Sequence, residues 1–241
     1  MHDETMSQKI ESDTSDYCAR IAGPERFTEI ISLLENHYIH EDIVARSYMA
    51  NENNKISQED LVLAMLDKKK IIEDLLSKDV CLIIVEKKSE RIAGAVMLVI
   101  YERDQDGLAD PRAKDNSFSS KLVNDLVHYS ELMNKTSRIF ELFPDCKRMA
   151  RIRFLAVHAE YRQRGLCNLL MKESVDWALR NDFDIVQGTF TTVASKRAAE
   201  RSGLTSIQDY NLREFRDLNG FNVFADASPN NILSLMVLNL R

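Results

Sequence analysis

Glycine is scarce in this chain, seven in 241 residues, so a glycine placed between two structured segments points to a special backbone requirement. Cysteine is scarce too. Cys18, Cys81, Cys146 and Cys167 form no CxxC pair and no zinc-finger spacing, which leaves no sign of a disulfide framework or zinc ribbon and makes free thiols the expectation. No apolar run approaches the roughly 20 residues that cross a bilayer, and the first apolar stretch is too late and too broken for a signal peptide. Positive charge is not in excess: 32 Lys and Arg face 38 Asp and Glu, a formal charge of −6, which argues against a general nucleic-acid binder. GxxxxGK[ST], GxGxxG and HExxH are all missing, so neither phosphate-loop nor zinc-protease chemistry is written here. A soluble, cytoplasmic protein follows, with neither nucleic acid nor membrane as partner.

With 44% hydrophobic residues the chain has material for a sizeable core. The first 18 residues, MHDETMSQKIESDTSDYC, are polar enough to read as a mobile tail, and no linker or repeat divides 19–241, read as one domain. From Pro24 to Met49 the apolar positions Phe27, Ile30, Ile31, Leu34 and Tyr38 follow a helical period that breaks near HEDI. Ser57 caps a second helix, three residues before Asp60 as in a capping box, and that helix is expected to stop near the KKK run. VCLIIVEK and IAGAVMLVIYE, joined by KSER, read as a hairpin. ERDQDGLADPRAKDNSFSS is loop, its mixed charges solvating it, and KLVNDLVHYSELM is helical. Then come the strand RIRFLAV, the helix LLMKESVDWALRN, the strand DIVQGTFT, the short helix SKRAAERSG, and two strands around YNLREF and ILSLMVLNL. Interspersed helices and strands give an α/β (α+β) class with a mixed sheet.

Three short stretches could carry chemistry. In YRQRGLCNLL, Gly165 sits between a strand and a helix with Arg162 and Arg164 beside it; the free amides of a helix start plus positive charge suit a phosphate-bearing ligand, while an ordinary strand-to-helix turn is the plainer reading. In HYIHED, His37, His40 and Glu41 stand at i, i+3 and i+4. They could share a helix face, but no further ligand pattern accompanies them, so no metal is expected. In TFTTVAS, Thr191, Thr192 and Ser195 bring hydroxyls to a strand end, where Ser195 would also serve as a helix N-cap.

The order of these segments is more specific than any one of them. FLAVHAEYRQRGLCNLLM followed by DIVQGTF and SKRAAERSGL resembles motifs A and B of the GNAT superfamily of acyl-CoA N-acyltransferases. IFELFPDCKRMARIRFLAVHAEYRQRGL and GFNVFADASPNNILSLMVLNL narrow the resemblance to the arylalkylamine N-acetyltransferases of the insect, dopamine-acetylating type, over about Ile21 to Arg241. The resemblance implies a single-domain GNAT fold whose mixed sheet, flanked by helices, splays into a cofactor cleft. Leu155, Ala156 and Val157 would pair with the pantetheine arm of acetyl-CoA as a further strand would. Arg162, Gln163, Arg164, Gly165, Leu166, Cys167 and Asn168 would cradle its pyrophosphate, with Gly165 admitting the backbone where a Cβ would obstruct it. Cys167 and Asn168 depart from the small residues usual in this branch.

The reaction implied is acetyl transfer to a primary amine such as dopamine, serotonin, tyramine or octopamine, by direct attack in a ternary complex. An amine of pKa about 10 is only about one part in a thousand neutral near pH 7, so a base is needed. HYIHED aligns Glu41 with the branch's base, although His37, Tyr38 and Asp42 depart from its FFxxEP-like pattern. A backbone N–H near Val157 would hold the oxyanion. The tyrosine that protonates the leaving thiolate in many GNAT enzymes is replaced by Ala199. Ser195 and Thr191 match two serines of the insect branch and supply hydroxyls instead. A polyamine or protein amine as acceptor, or a non-catalytic acyl-CoA sensor, are the alternatives; a monomer is expected.

Overall fold

A strand buried on both faces must lie inside a sheet, and Ile92–Glu102 is such a strand, with every residue from Ile92 to Val99 buried. A computed structural model of the chain describes residues 9–14, 16–103, 118–136, 138–217 and 219–241, the main chain alone for 9–14 and 134–136. The charged run RDQDGLADPRAKD thus lies almost wholly outside the described residues. The order is β1 (Lys9–Thr14), β2 (Tyr17–Ile21), α1 (Phe27–His37), α2 (Ile43–Ala50), α3 (Gln58–Lys78), β3 (Val80–Glu86), β4 (Ile92–Glu102), α4 (Lys121–Thr136), α5 (Ile139–Leu142), β5 (Arg148–Val157), α6 (Leu166–Arg180), β6 (Ile185–Phe190), α7 (Val193–Arg201), β7 (Thr205–Asn211) and β8 (Ile232–Asn239).

These strands form one eight-stranded sheet in the order β1-β2-β3-β4-β5-β6-β8-β7. Every pairing is antiparallel except β5 with β6, so the sheet is mixed, as expected. One face is covered by α6 and α7 through Leu166, Leu170, Met171, Trp177, Ala198 and Ala199. The other is covered by α1 and α3 through Ile30, Leu34, Ile72, Leu75 and Leu76. A third cluster of Tyr48, Val123, Tyr129, Phe224 and Leu233 joins α2, α4 and the segment before β8. Among the described residues no helix is long and apolar enough to cross a membrane. All four cysteines are free.

The break near HEDI is a 3-10 turn at Ile39–Glu41 between α1 and α2, and Asp42 caps α2 by accepting from Val44 N and Ala45 N. Several boundaries differ from the sequence reading. Order begins before Ala19: Tyr17 and Cys18 are buried in β2, whose backbone pairs with β3. The lysine run does not end α3, because Lys69 and Lys70 face outward while Ile72, Leu75 and Leu76 continue the buried stripe. Ser57 does cap α3, accepting from Asp60 N at 3.1 Å. The reciprocal half of the box is absent among the described residues: Asp60 instead accepts from Lys121 N (2.6 Å), Leu122 N (3.0 Å) and Ser120 Oγ (3.0 Å), capping α4. Of YNLREF only Tyr210 and Asn211 belong to a strand, and Leu212–Glu214 form a 3-10 turn.

Candidate functional site

The site arises where two strands separate. The parallel ladder of β5 and β6 runs from Met149–Ile185 to Ile152–Gly188 and stops there. Beyond it β5 continues to Val157 paired with β4 alone, while Thr189 and Phe190 of β6 stay with β8. Gly188 permits the close approach at the fork, since a Cβ there would stand 2.7 Å from the Phe190 ring and 3.3 Å from Ile152 Cβ. Leu155, Ala156 and Val157 therefore form one bank of a cleft.

A β-bulge decides what that bank presents. Met97 pairs with Phe154 and Leu98 with Ile152, leaving Arg153 as the extra residue. An extra residue reverses the in-out alternation. Ala150 and Ile152 pack on the α6 side and Phe154 and Ala156 on the α1 side, with Leu155 and Val157 returned to the α6 side.

The strand then passes through a 3-10 turn, Ala159–Tyr161, into the loop before α6. Gln163 (φ 62) and Gly165 (φ 78) are both left-handed, and Gln163 bears the strain a non-glycine residue meets there. Gly165 is the N-cap of α6 and supplies no side-chain cap. Leu169 N reaches Gly165 O at 3.1 Å, but among the described residues nothing accepts from the backbone N–H groups of Gln163 through Asn168. Nothing lies within 4 Å of a Cβ built on Gly165. The obstruction expected of a side chain here is thus not a clash within the protein: the space its Cβ would enter is open.

Both arginines of the loop are already engaged. Arg162 donates through Nε to Val157 O (3.2 Å) and through Nη2 to Glu41 Oε1 (2.8 Å). Arg164 donates to Tyr17 Oη (2.9 Å) and Glu160 O (3.1 Å) and covers the Tyr161 ring. Leu166 is buried, burial pushes the Cys167 thiol up to about 11, and Asn168 Oδ1 accepts from Arg201 at 3.4 Å.

Between the fork and the helices on the α1 side lies a cavity of about 140 Å³, walled by Tyr38, Ile71, Leu126, Tyr129, Met133 and Phe154. Thr189 and Thr191 line its β6 end, and among the described residues Asp42, Lys68, Arg151 and Arg153 are the charged residues of its lining. Asp42 Oδ2 pairs with Lys68 Nζ at 3.2 Å. Burial raises the Tyr38 phenol, and burial followed by the neighbouring Tyr48 and Asp125 pushes Tyr129 up to about 12, so both stay protonated at neutral pH.

The three residues expected to form a relay are not gathered in this cavity. Thr191 lines it; Glu41 and Ser195 do not. Ser195 is not the N-cap of α7: Thr192 is, with Ser195 N donating to Thr192 Oγ1 (3.1 Å) and Thr192 N to Ser195 Oγ (3.3 Å). Thr192 has the extended backbone that an N-cap requires, and Ser195 is the third residue of the box. Within HYIHED, His37 meets His158 with ring centroids 4.3 Å apart and ring planes tilted by 57°. Among the described residues no group of three or more His, Cys, Asp or Glu is placed to hold a metal ion.

Sequence reasoning passed over Arg151 and Arg153 by absorbing them into an apolar strand. Their i, i+2 spacing in RIRF was the available signal, because it puts two cations on one strand face.

Residues 41–203 match the Acetyltransferase (GNAT) family. No curated protein matches the sequence. Among solved structures, mosquito arylalkylamine N-acetyltransferase like 5b is similar at TM-score 0.77 and 18% identity, over 92% of this chain and 99% of that one. Arylalkylamine N-acetyltransferase 2 of Aedes aegypti gives 0.74 and 18%, over 93% and 99%. A polyamine N-acetyltransferase of Drosophila melanogaster, an enzyme that forms N-acetylagmatine, gives 0.68 and 17%, over 93% and 100%. At these identities the likeness is one of fold.

Proposed function

Since the chain belongs to the GNAT acetyltransferase family and is an N-acetyltransferase, we propose that it transfers the acetyl group of acetyl-CoA to the primary amine of a small arylalkylamine. The observation that carries this reading is the cleft opened by the parting of β5 and β6, with unengaged amides at one end and an apolar, aromatic cavity at the other. The amides of Gln163 through Asn168 suit the pyrophosphate, because helix-start N–H groups and left-handed loop residues concentrate donors on an anion. The free edge of β5 at Leu155, Ala156 and Val157 suits the pantetheine amides. Acetyl-CoA supplies the activated acetyl group; the remaining work falls to side chains of this chain.

The acceptor must lose a proton to become a nucleophile, and Glu41 is the group we assign to that step. Its Oε2, unlike either oxygen of Asp42, has no partner among the described residues, whereas Asp42 is spent on the cap of α2 and on Lys68. Arg162 orients Glu41 from the loop side. A backbone N–H near Val157 would take the developing negative charge. Thr191 and the protonated Tyr38 and Tyr129 are the cavity hydroxyls we assign to the leaving thiolate; Ser195 lies outside that lining with its Oγ bonded to Thr192, and Ala199, in the tyrosine position of many relatives, is buried and offers none.

The cavity favours an aromatic acceptor over a polyamine. A polyamine site needs several carboxylates, and among the described residues Asp42 is the one carboxylate of this lining. A thiol-release assay with acetyl-CoA tests the proposal against phenethylamine, tyramine, tryptamine, spermidine and a lysine peptide. Turnover of the aryl amines is expected. Release with spermidine or the peptide alone would move the acceptor to those classes, and coenzyme A binding without any turnover would leave a sensor.

A further inference from the structure

An enzyme that receives a cationic amine is expected to line its acceptor cavity with negative charge, yet among the described residues the lining holds the cations Lys68, Arg151 and Arg153 and one carboxylate, Asp42. Asp42 and Lys68 neutralise each other at 3.2 Å. Asp42 is further committed to Val44 N and Ala45 N at the start of α2, so it is poorly placed to receive an ammonium as well.

Arg153 is the residue to explain. It is the extra residue of the β4–β5 bulge: strand alternation already places it on the cavity side with Arg151, and the bulge turns Phe154 to that same side beside it. Its guanidinium lies 5.3 Å from the centroid of the Phe154 ring. Among the described residues no carboxylate and no hydrogen-bond acceptor meets it. Arg151, two residues earlier on the same strand, lines the same cavity. Bulges re-aim side chains at functional sites, and an arginine is the side chain whose planar donor fork matches a carboxylate.

From this placement we propose that the acceptor carries a carboxylate beside its amine: an aromatic or apolar amino acid rather than a decarboxylated arylalkylamine, with Arg153 receiving the acid group. The inference rests on the acetyl-transfer reading above and narrows its acceptor from arylalkylamines in general, which would still be turned over more slowly, to those that bear a carboxylate beside the amine. The transfer itself is unchanged: the amine nitrogen bonds the acetyl carbonyl carbon, the carbon–sulfur bond breaks, the amine loses a proton, and coenzyme A leaves as the thiol. The carboxylate is a spectator that offsets the arginine charge and positions the amine, while Tyr38, Leu126 and Met133 cover the apolar part of the acceptor. A polyamine, cationic at every nitrogen, is disfavoured by the same arginines.

The test uses matched pairs that differ only by the carboxylate: phenylalanine against phenethylamine, tyrosine against tyramine, tryptophan against tryptamine. The wild-type protein is expected to give kcat/KM at least tenfold higher for the acid member of a pair. In Arg153→Gln that preference falls by tenfold or more, through KM, and Arg153→Lys restores part of it. A wild-type preference for the decarboxylated members, or a preference for the acids that survives Arg153→Gln, overturns the proposal. A binding arm separates it from the acetyl-transfer reading. By calorimetry 3-phenylpropanoate, an acid with no amine, should bind wild type and lose at least tenfold in affinity in Arg153→Gln. Turnover of none of the amines together with that loss would sink the acetyl-transfer reading and keep the anion site; no binding of 3-phenylpropanoate by wild type would sink the anion site alone.

Discussion

Arg162 ties Glu41 to the end of β5, its Nη2 2.8 Å from Glu41 Oε1 while its Nε holds Val157 O at 3.2 Å. The candidate base and the strand assigned to acetyl-CoA thus share one guanidinium. With side chains 41% and 52% exposed, the pair contributes little to stability and acts chiefly to orient the carboxylate. Glu41→Gln keeps a carbonyl oxygen for Arg162 but cannot take a proton. We expect unchanged coenzyme A affinity and a kcat/KM lower by roughly 10²- to 10⁴-fold, partly recovered at higher pH or with amines of lower pKa. A variant with near-wild-type kcat at pH 7, under rate-limiting chemistry, would remove Glu41 from the role of base.

Gly165→Val should weaken acetyl-CoA binding by tenfold or more while the protein stays folded. The backbone at φ 78 is unfavourable for a β-branched residue, and the branched side chain would fill space left open on the loop we assign to the pyrophosphate. No atom within 4 Å stands to clash with its Cβ, so core packing is untouched. Isothermal titration with coenzyme A is the measurement, with circular dichroism as the check on folding; an unchanged Kd in a folded variant would remove the pyrophosphate from this loop.

The helices and strands were legible because each carries its own period: the stripe of Ile30 and Leu34, the unbroken run of β4, the loss of period at HEDI. Gly165 was legible as a turn because so few glycines exist to be spent. The bulge at Arg153 was not, since a single extra residue leaves the strand apolar in composition and changes only which side each residue faces. Asp60 misled for a similar reason. Its spacing from Ser57 fits a local box, but the fold brings Ser120–Leu122 within reach of its carboxylate, a partner distant in sequence. The hydroxyls of Thr192 and Ser195 were visible as a cluster, but which of them takes the extended backbone of an N-cap is a main-chain property that composition does not carry.

Asp60→Ala removes both main-chain bonds at the start of α4 and the bond to Ser120 Oγ. Loss of a helix cap costs about 0.5–2 kcal/mol, which in a chain of this size lowers the melting temperature by several degrees at most. Leu126, Tyr129 and Met133 of α4 wall the cavity, so the KM for the amine should rise more than the Kd for coenzyme A. Equal changes in both would mean that α4 holds its place without this cap.

His37 supplies a prediction in pH. Burial first, then the facing His158 ring and the Arg162 charge, hold its imidazole below the ordinary value of 6.5, while Glu41 and Glu160 oppose that shift weakly. The unfolded chain protonates this histidine at its ordinary pKa, whereas the folded protein resists protonation. Below pH 6.5 the unfolded state therefore binds more protons, and its contribution to stability falls as pH drops towards the folded value, levelling off beneath it. His37→Gln has no imidazole to titrate. The difference in unfolding free energy between wild type and this variant, from denaturant melts at steps from pH 7.5 to pH 5, should shift against wild type as pH falls. The effect is confined to that window, because above it the imidazole is neutral in both states. A difference that stays flat, or that moves in favour of wild type at low pH, would mean that burial, His158 and Arg162 together do not depress His37 in the folded protein.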